Sequence, residues 1–317
     1  MTRRGEHPNT WVWIDGEFAR YSDVPLGLMT HALHYGTGCF EGIRAYWNGE
    51  KEELHVLQPL EHFRRLHRSA RVLTMAVPQT AEELVDVTLE LLRRNGYRED
   101  AYIRPLVFKS GETFGVPFTE VGESVAIYTR PFGRYVHKEG GLRCRVSSWI
   151  RVPDQAIPAR AKITGAYINS TLAKIEAAQA GADEAIVLNA AGHVSEGSTE
   201  NLFLLRDGVW ATPAVSEDIL EGITRRLLID LIRSELGTEV RERVIDRTEL
   251  YIADEIFLCG TGAEIAPVIE VDGRAVGTGQ IGATTARLSE LYLGAARGKD
   301  PARADWTLAV DTIRRPA

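Results

Sequence analysis

The stretch Pro158-Ala159-Arg160-Ala161-Lys162-Ile163-Thr164-Gly165-Ala166-Tyr167-Ile168-Asn169-Ser170 sets one lysine among small and apolar residues, directly before a helical pattern. Lysine is scarce here: only six of the 37 basic residues are lysines, and Lys162 has no Asp or Glu within seven positions on either side. Lys51, Lys138 and Lys299, by contrast, sit beside acidic residues or glycines, as solvated lysines do. A desolvated ammonium with no partner has a lowered pKa, and its amine becomes a nucleophile toward carbonyls. A solvated surface lysine is the competing reading. The rest of the chain has to decide between them.

The totals bound the choice. At 317 residues the chain is long enough for two domains of ordinary size. Hydrophobic content of 44% and charged content of 26% are those of a soluble globular protein. A net charge of -7 argues against a nucleic-acid or anionic-membrane partner. The basic opening from Met1 to Pro8 has no apolar run behind it, so it does not read as a signal peptide. No window approaches ~18 uninterrupted apolar residues, so no membrane span is expected. Cys39, Cys144 and Cys259 are odd in number and widely separated, which suits a reducing, cytoplasmic setting and makes neither a disulfide frame nor a metal site.

Outward from the lysine, the N-terminal half reads as strands first. Trp11–Ile14 and Glu17–Arg20 flank Asp15-Gly16, a hairpin signal, and Asn48-Gly49 is a second one between strands 43–47 and 54–57. Residues 31–42 read as a glycine-punctuated turn. Helices are expected over 60–73 and, behind the capping box Thr80/Glu83, up to Gly96. Strands 101–108, 124–129 and 142–150 follow, and the prolines at 153 and 158 mark a domain change. Beyond it come a helix over 168–180, carried by Leu172, Ile175 and an alanine-rich pattern, and strands 184–188 and 201–206. A helix from Gly222 to Gly237, strands 239–244, 255–258 and 268–271, and a last helix over 284–293 complete the chain. The fold class is α+β with mostly antiparallel strands, in two domains: residues 1–152, a small N-terminal domain, and 153–317, a larger C-terminal one carrying Lys162.

Three further features face chemistry. Gly222-Ile223-Thr224 opens a helix, where free N–H groups and the dipole attract an anion; an ordinary cap is the alternative. Cys259-Gly260-Thr261-Gly262 after a buried strand offers a second set of donors, or is simply a turn. Arg65, on a helix with an apolar face, could supply a fixed positive charge. Glu196, between glycines at a strand end, has no evident structural task, and Glu200 competes with it. Amine, anion cradle and carboxylate together form the kit that pyridoxal phosphate chemistry requires: a covalent anchor, a phosphate site and a partner for the pyridine nitrogen.

The sequence also resembles the fold-type IV pyridoxal-phosphate enzymes, and within them the branched-chain amino acid aminotransferases. The resemblance is carried by Val12–Gly16, His31–Thr37, Phe40–Arg44, Ala101–Leu106, Ala161-Lys162 and Ser195–Gly197. It continues through Glu200–Phe203, Gly222–Arg225, Ala253–Glu255 and Gly260-Thr261. It implies a two-domain D-amino acid aminotransferase-like fold in which Lys162 binds pyridoxal 5'-phosphate covalently, Tyr167 meets the ring's phenolic oxygen and Glu196 the ring nitrogen. It assigns the phosphate to Arg65, Ile223, Thr224 and Thr261, and packs Leu220 against the ring. Phe40, Gly42, Tyr102, Arg104, Tyr135, Thr261 and Gly262 are expected to line the substrate pocket, although Gly262 stands where alanine is commoner. Tyr35 and Val116 match residues that the family supplies from a neighbouring subunit, which implies at least a homodimer and allows a trimer of dimers.

The implied reaction is ping-pong transamination, through a pyridoxamine form, between leucine, isoleucine or valine and 2-oxoglutarate. Its partners are small amino and 2-oxo acids, with neither nucleic acid nor membrane. An arginine beside apolar walls, as in Tyr102-Ile103-Arg104, can meet a γ-carboxylate or fold away from an aliphatic chain. The alternatives are an (R)-amine or D-amino acid aminotransferase of the same fold, an aminodeoxychorismate lyase, and a cofactor-free binding domain.

Overall fold

The structure is a computed structural model describing residues 9–117, 119–133 and 138–311. Two compact units divide it. One comprises Met1–Gly133, Ala161–Gly165 and Gly294–Ala317; the other comprises Arg134–Arg160 and Ala166–Leu293.

The first unit is built on an antiparallel sheet. Strands β1 (Trp11–Ile14) and β2 (Glu17–Arg20) form the expected hairpin, with Asp15 and Gly16 at φ 49° and 101°, the signs a tight two-residue turn needs. The glycine-punctuated segment is more than a turn: it contains a short helix α1 (His31–Tyr35) and strand β3 (Gly38–Phe40). Strands β4 (Ile43–Asn48) and β5 (Glu53–Leu57) are joined by a longer turn than Asn-Gly predicts. The Asn48 Oδ1 accepts the N–H groups of Glu50 and Lys51, and Glu52 takes the left-handed conformation instead. Helix α2 (Pro59–Val72) and helix α3 (Ala81–Asn95) follow. At the start of α3 the Thr80 hydroxyl accepts from the Glu83 N–H, and the Thr80 N–H donates to the Glu83 carboxylate. Strands β6 (Ala101–Lys109) and β7 (Glu123–Pro131) pair along their whole length.

A strand at Thr307–Val310, not anticipated from sequence, closes the edge against β5. The spatial order is then C-terminal strand, β5, β4, β6, β7, β1, β2, with β3 pairing β6. Strand β6 decides where chemistry can sit. Its period of two sends Ala101, Ile103 and Val107 into a core with Phe63, Leu66 and Ala70 of α2 and Leu84, Leu91 and Leu92 of α3. Tyr102 and Arg104 therefore lie on the opposite, half-buried face.

The second unit holds strand β8 (Leu142–Val146), helix α4 (Tyr167–Gln179), β9 (Glu184–Leu188), β10 (Val194–Gly197), β11 (Asn201–Arg206) and β12 (Val209–Pro213). Helix α5 (Ile223–Leu236), β13 (Arg241–Arg243), β14 (Glu255–Gly260), β15 (Glu264–Val271), β16 (Arg274–Ala275) and helix α6 (Ala283–Ala296) up to Leu293 complete it. The order is β10, β9, β8, β15, β14, β11, β12, β13, with β16 on β15. This sheet is mixed: β8 runs parallel to β9 and β15, and β12 parallel to β13.

A division at 152/153 does not match these units. Strand β8, N-terminal to that division, is hydrogen-bonded into the second sheet and belongs to the second unit. The Lys162 segment belongs to the first unit, because Ile163 forms an antiparallel bridge with Cys39. One smaller expectation also changes. Strand β8 stops at Val146 rather than 150. Helix α4 buries Ser170, Ala173 and Ala177, while Ile168 and Ile175 face outward.

Candidate active site

In the first unit Lys162 is held by its backbone. Its N–H donates to the Ser69 hydroxyl at 3.1 Å, and its carbonyl accepts from the Phe40 N–H at 3.1 Å. Ala161 and Ile163 on either side are buried, so the alternation of an extended segment leaves the lysine side chain on the other face. The ammonium stands 5.3 Å from the centre of the Phe40 ring. The Arg104 guanidinium lies 4.6 Å over that same ring and 5.2 Å over the Tyr102 ring, and its Nη2 donates to the Tyr102 hydroxyl at 3.1 Å. Gly42 makes room for that hydroxyl: a Cβ there would sit 2.0 Å from it. Phe40, Gly42, Tyr102 and Arg104, which the resemblance assigns to the substrate pocket, thus lie close to Lys162.

Arg65 reaches this cluster through a partner that sequence reasoning missed. Its Nε and Nη2 donate to the two oxygens of Glu41 at 2.6 and 2.9 Å, and His62 Nδ1 lies 2.7 Å from the same carboxylate. All three side chains are buried. Burial works to raise the Glu41 pKa, but Arg65 and then His62 overcome it and hold the carboxyl well below the usual carboxylate range. His62 is itself pushed down, first by burial and further by the charges of Arg65 and Lys162, against the pull of Glu41. His62, Arg65 and Ser69 follow one another at spacings of three and four on α2, one helical face. The helix therefore orients both the Glu41 loop and the backbone of Lys162.

The second unit gathers the remaining features. Glu196 is buried; its Oε1 meets Arg151 Nη2 at 2.8 Å, and its Oε2 accepts from Asn201 Nδ2 at 2.9 Å and from the Leu220 N–H at 3.2 Å. Arg151 also donates from Nε to the Asp218 carbonyl at 3.1 Å, and Asn201 to the Leu220 carbonyl at 2.9 Å. One arginine and one amide thus fix both the carboxylate and the loop that leads into α5. Neither Arg151 nor Asn201 was singled out for this task from sequence, where both look like ordinary polar positions. Helix α5 begins at Ile223 and Thr224 behind Gly222, with no side-chain cap on its first-turn N–H groups, which suits an anion. Thr261 and Gly262 form the turn between β14 and β15, and Tyr167 opens α4.

Glu200 does something different. Its carboxylate accepts from the Thr199 hydroxyl at 2.6 Å and the Thr199 N–H at 3.0 Å inside the unit. Burial first, and the charge of Glu184 second, push it up to about 7. The folded chain keeps this proton where the unfolded chain, ionising near 4.5, has lost it. Stability from this group therefore falls as pH rises from about 4.5 to about 7 and levels above, with a slope of up to about 1.4 kcal/mol per pH unit. Urea unfolding between pH 4.5 and 8 should show that slope in the native protein and a flatter profile in Glu200→Gln; parallel profiles would remove Glu200 as its source.

Of the other sequence-chosen residues, Tyr35 lies on α1 and Val116 in the β6–β7 connection, while Tyr135 falls outside the described residues. No helix among the described residues is long and apolar enough to cross a membrane.

A buried lysine segment beside an aromatic-arginine wall in one α+β unit, and a carboxylate with an uncapped helix start in the other, define a class. The chain matches Amino-transferase class IV over residues 38–271 and belongs to that family. It is 47% identical over 300 residues, 95% of this chain and 96% of the relative, to the "Probable branched-chain-amino-acid aminotransferase" of Aquifex aeolicus. Among solved structures it is similar to the branched-chain aminotransferase from Thermoproteus uzoniensis with norvaline, with TM-score 0.90 and 44% identity over 95% of this chain and 99% of that one. It is likewise similar to the branched-chain amino acid aminotransferase from Thermobaculum terrenum in its PLP-form, with TM-score 0.90 and 36% identity over 96% of this chain and 99% of that one. The family and the α+β fold are those the motifs imply.

Proposed function

We propose that this chain transfers an amino group between branched-chain L-amino acids and 2-oxoglutarate with pyridoxal 5'-phosphate as cofactor. The donor set fits that group: a primary amine at Lys162, a cation at Arg65, N–H groups at the start of α5 and a fixed carboxylate at Glu196. When bound, the cofactor supplies an aldehyde and an electron-withdrawing ring. Lys162 Nζ is the covalent anchor and moves the substrate's α-proton. Glu196 holds a proton at the pyridine nitrogen, with Arg151 and Asn201 keeping its carboxylate aimed, and Tyr167 donates to the phenolic oxygen. Arg65, Ile223, Thr224 and Thr261 would hold the phosphate, and Leu220 would pack against the ring. The Thermobaculum terrenum relative, whose structure is that of a PLP-form, supports the choice of cofactor.

The observation that carries the substrate reading is Arg104 lying 4.6 Å from the centre of the Phe40 ring and 5.2 Å from that of Tyr102, with Lys162 near the same Phe40 ring. The rings, with Gly42, offer apolar surface to a leucine, isoleucine or valine side chain. The guanidinium, already partly desolvated, can form a paired hydrogen bond with the γ-carboxylate of glutamate. One pocket then serves both half-reactions in turn. We further infer a homodimer or larger assembly, in which Tyr35 and Val116 complete the pocket of a neighbouring copy, and a cytoplasmic setting supported by three free, buried thiols.

The test is a panel of amino donors against 2-oxoglutarate, with glutamate as the measured product. Leucine, isoleucine and valine should exceed D-alanine and (R)-1-phenylethylamine by about 100-fold or more in kcat/KM, a difference of about 2.7 kcal/mol in transition-state binding. Comparable or higher rates with the D- or (R)-compounds would overturn the substrate reading, and no glutamate from any donor would overturn transamination.

A further inference from the structure

Helix α1 carries two aromatic residues one turn apart, His31 and Tyr35, with ring centroids 4.5 Å apart. Both bind the same distant residue. His31 Nε2 lies 2.8 Å from the Gly115 carbonyl, and the Gly115 N–H donates to the Tyr35 hydroxyl at 3.2 Å. A carbonyl only accepts, so Nε2 carries the ring proton. In the neutral ring Nδ1 then accepts from the Thr37 hydroxyl, 2.8 Å away. His31 is fully buried, an uncommon setting for a histidine without a task.

Gly115 belongs to the connection between β6 and β7. Its base is tied to α1 by the His31 N–H to the Gly111 carbonyl at 3.1 Å and by a bridge between Thr30 and Glu112. Farther out the polypeptide depends on side chains. Gly115 has φ 116°, a conformation that residues with a side chain rarely adopt, and its neighbours Phe114 and Val116 are 70% and 74% exposed. Two side chains of one short helix therefore hold both backbone groups of the residue that precedes Val116.

We propose that His31 is a positioning residue which, through Gly115, fixes Val116 and the Tyr35 hydroxyl and so sets substrate affinity. The inference rests on the pocket roles of Tyr35 and Val116 in the proposed function. His31 touches neither the reacting atoms nor the cofactor, so its removal should act on KM more than on kcat.

Two variants separate the latch from general packing. Glutamine sets its amide nitrogen where Nε2 lies and keeps a donor for Gly115, whereas asparagine reaches only toward Thr37. Both lose the imidazole from the same buried place. In His31→Asn the KM for leucine and for 2-oxoglutarate should rise about tenfold, the equivalent of one lost hydrogen bond, with kcat within about twofold. His31→Gln should stay within about threefold of the native KM. Hydrogen exchange of the peptide covering residues 111–117 gives an arm independent of turnover: the Gly115 amide should exchange about tenfold faster in His31→Asn and near the native rate in His31→Gln. Equal exchange in both variants and the native protein, or a fall in kcat at unchanged KM, would overturn the proposal. If the native protein fails to form glutamate from leucine, the functional reading falls, and the exchange arm still decides whether His31 is the latch.

Discussion

Lys162→Ala should lower transamination of leucine by roughly 10⁴–10⁶-fold, the range found when a nucleophile central to catalysis is deleted. The same variant should lose the visible absorbance band that a lysine-bound pyridoxal phosphate gives. The fold should survive, because the contacts that place residue 162 belong to its backbone: the N–H on Ser69 and the carbonyl on Phe40 persist with any side chain. Removing the side chain also takes a positive charge away from buried His62, which eases that region rather than straining it. Lys162→Arg should be as inactive, since a guanidinium stays protonated and does not condense with an aldehyde. Absorbance spectra, circular dichroism and glutamate formation measured on one preparation of each variant check these four statements. Retention of the band, or activity within about tenfold of native, would sink the role given to Lys162.

Much of the fold could be read from local pattern. The hairpin at Asp15-Gly16, the capping box at Thr80 and the Gly237 stop of α5 each follow from chemistry within a few residues. What the pattern hid depends on distant pairing. The prolines at 153 and 158 look like a boundary, yet Ala161–Gly165 returns to the first unit because Ile163 bridges Cys39 more than a hundred residues earlier. Helix α4 turns its alanines inward, since Ala173 and Ala177 pack against Ala185 and Val187, and small side chains permit that close approach. The mixed second sheet was hidden for the same reason, as β8 finds its parallel partners only after the chain has travelled on to β9 and β15. At the site, family likeness supplied the groups that would touch the ligand but not those that hold them. Arg151, His62 and Ser69 are commonplace residue types, recognisable only by what they meet in space. Glu41 left one signal, a carboxylate inside the apolar run Cys39-Phe40-Glu41-Gly42-Ile43, where a charge needs a partner.

That partner makes Glu41→Ala the second substitution with a large expected effect. Removing the carboxylate leaves the Arg65 guanidinium buried beside a histidine whose pKa burial lowers. Breaking a buried pair in this way costs about 3–5 kcal/mol, more than forming it contributes, because the remaining charge is uncompensated. Glu41→Gln should be milder, since its amide oxygen still accepts from Arg65. The sign of the pH dependence follows from the depressed Glu41 pKa. Its stabilisation is fully present above the unfolded carboxylate range, near 4.5, and is lost as pH falls below it. Urea unfolding of the native protein should therefore weaken below about pH 4.5, and Glu41→Ala should lose that dependence along with the stability. Arg65 also loses the fork that fixes its direction, so inorganic phosphate or pyridoxal phosphate added to the variant should bind about tenfold or more weakly, read from the thermal shift that ligand produces. A variant as stable as the native protein at pH 7, with an unchanged thermal shift, would mean that Arg65 finds its place without Glu41.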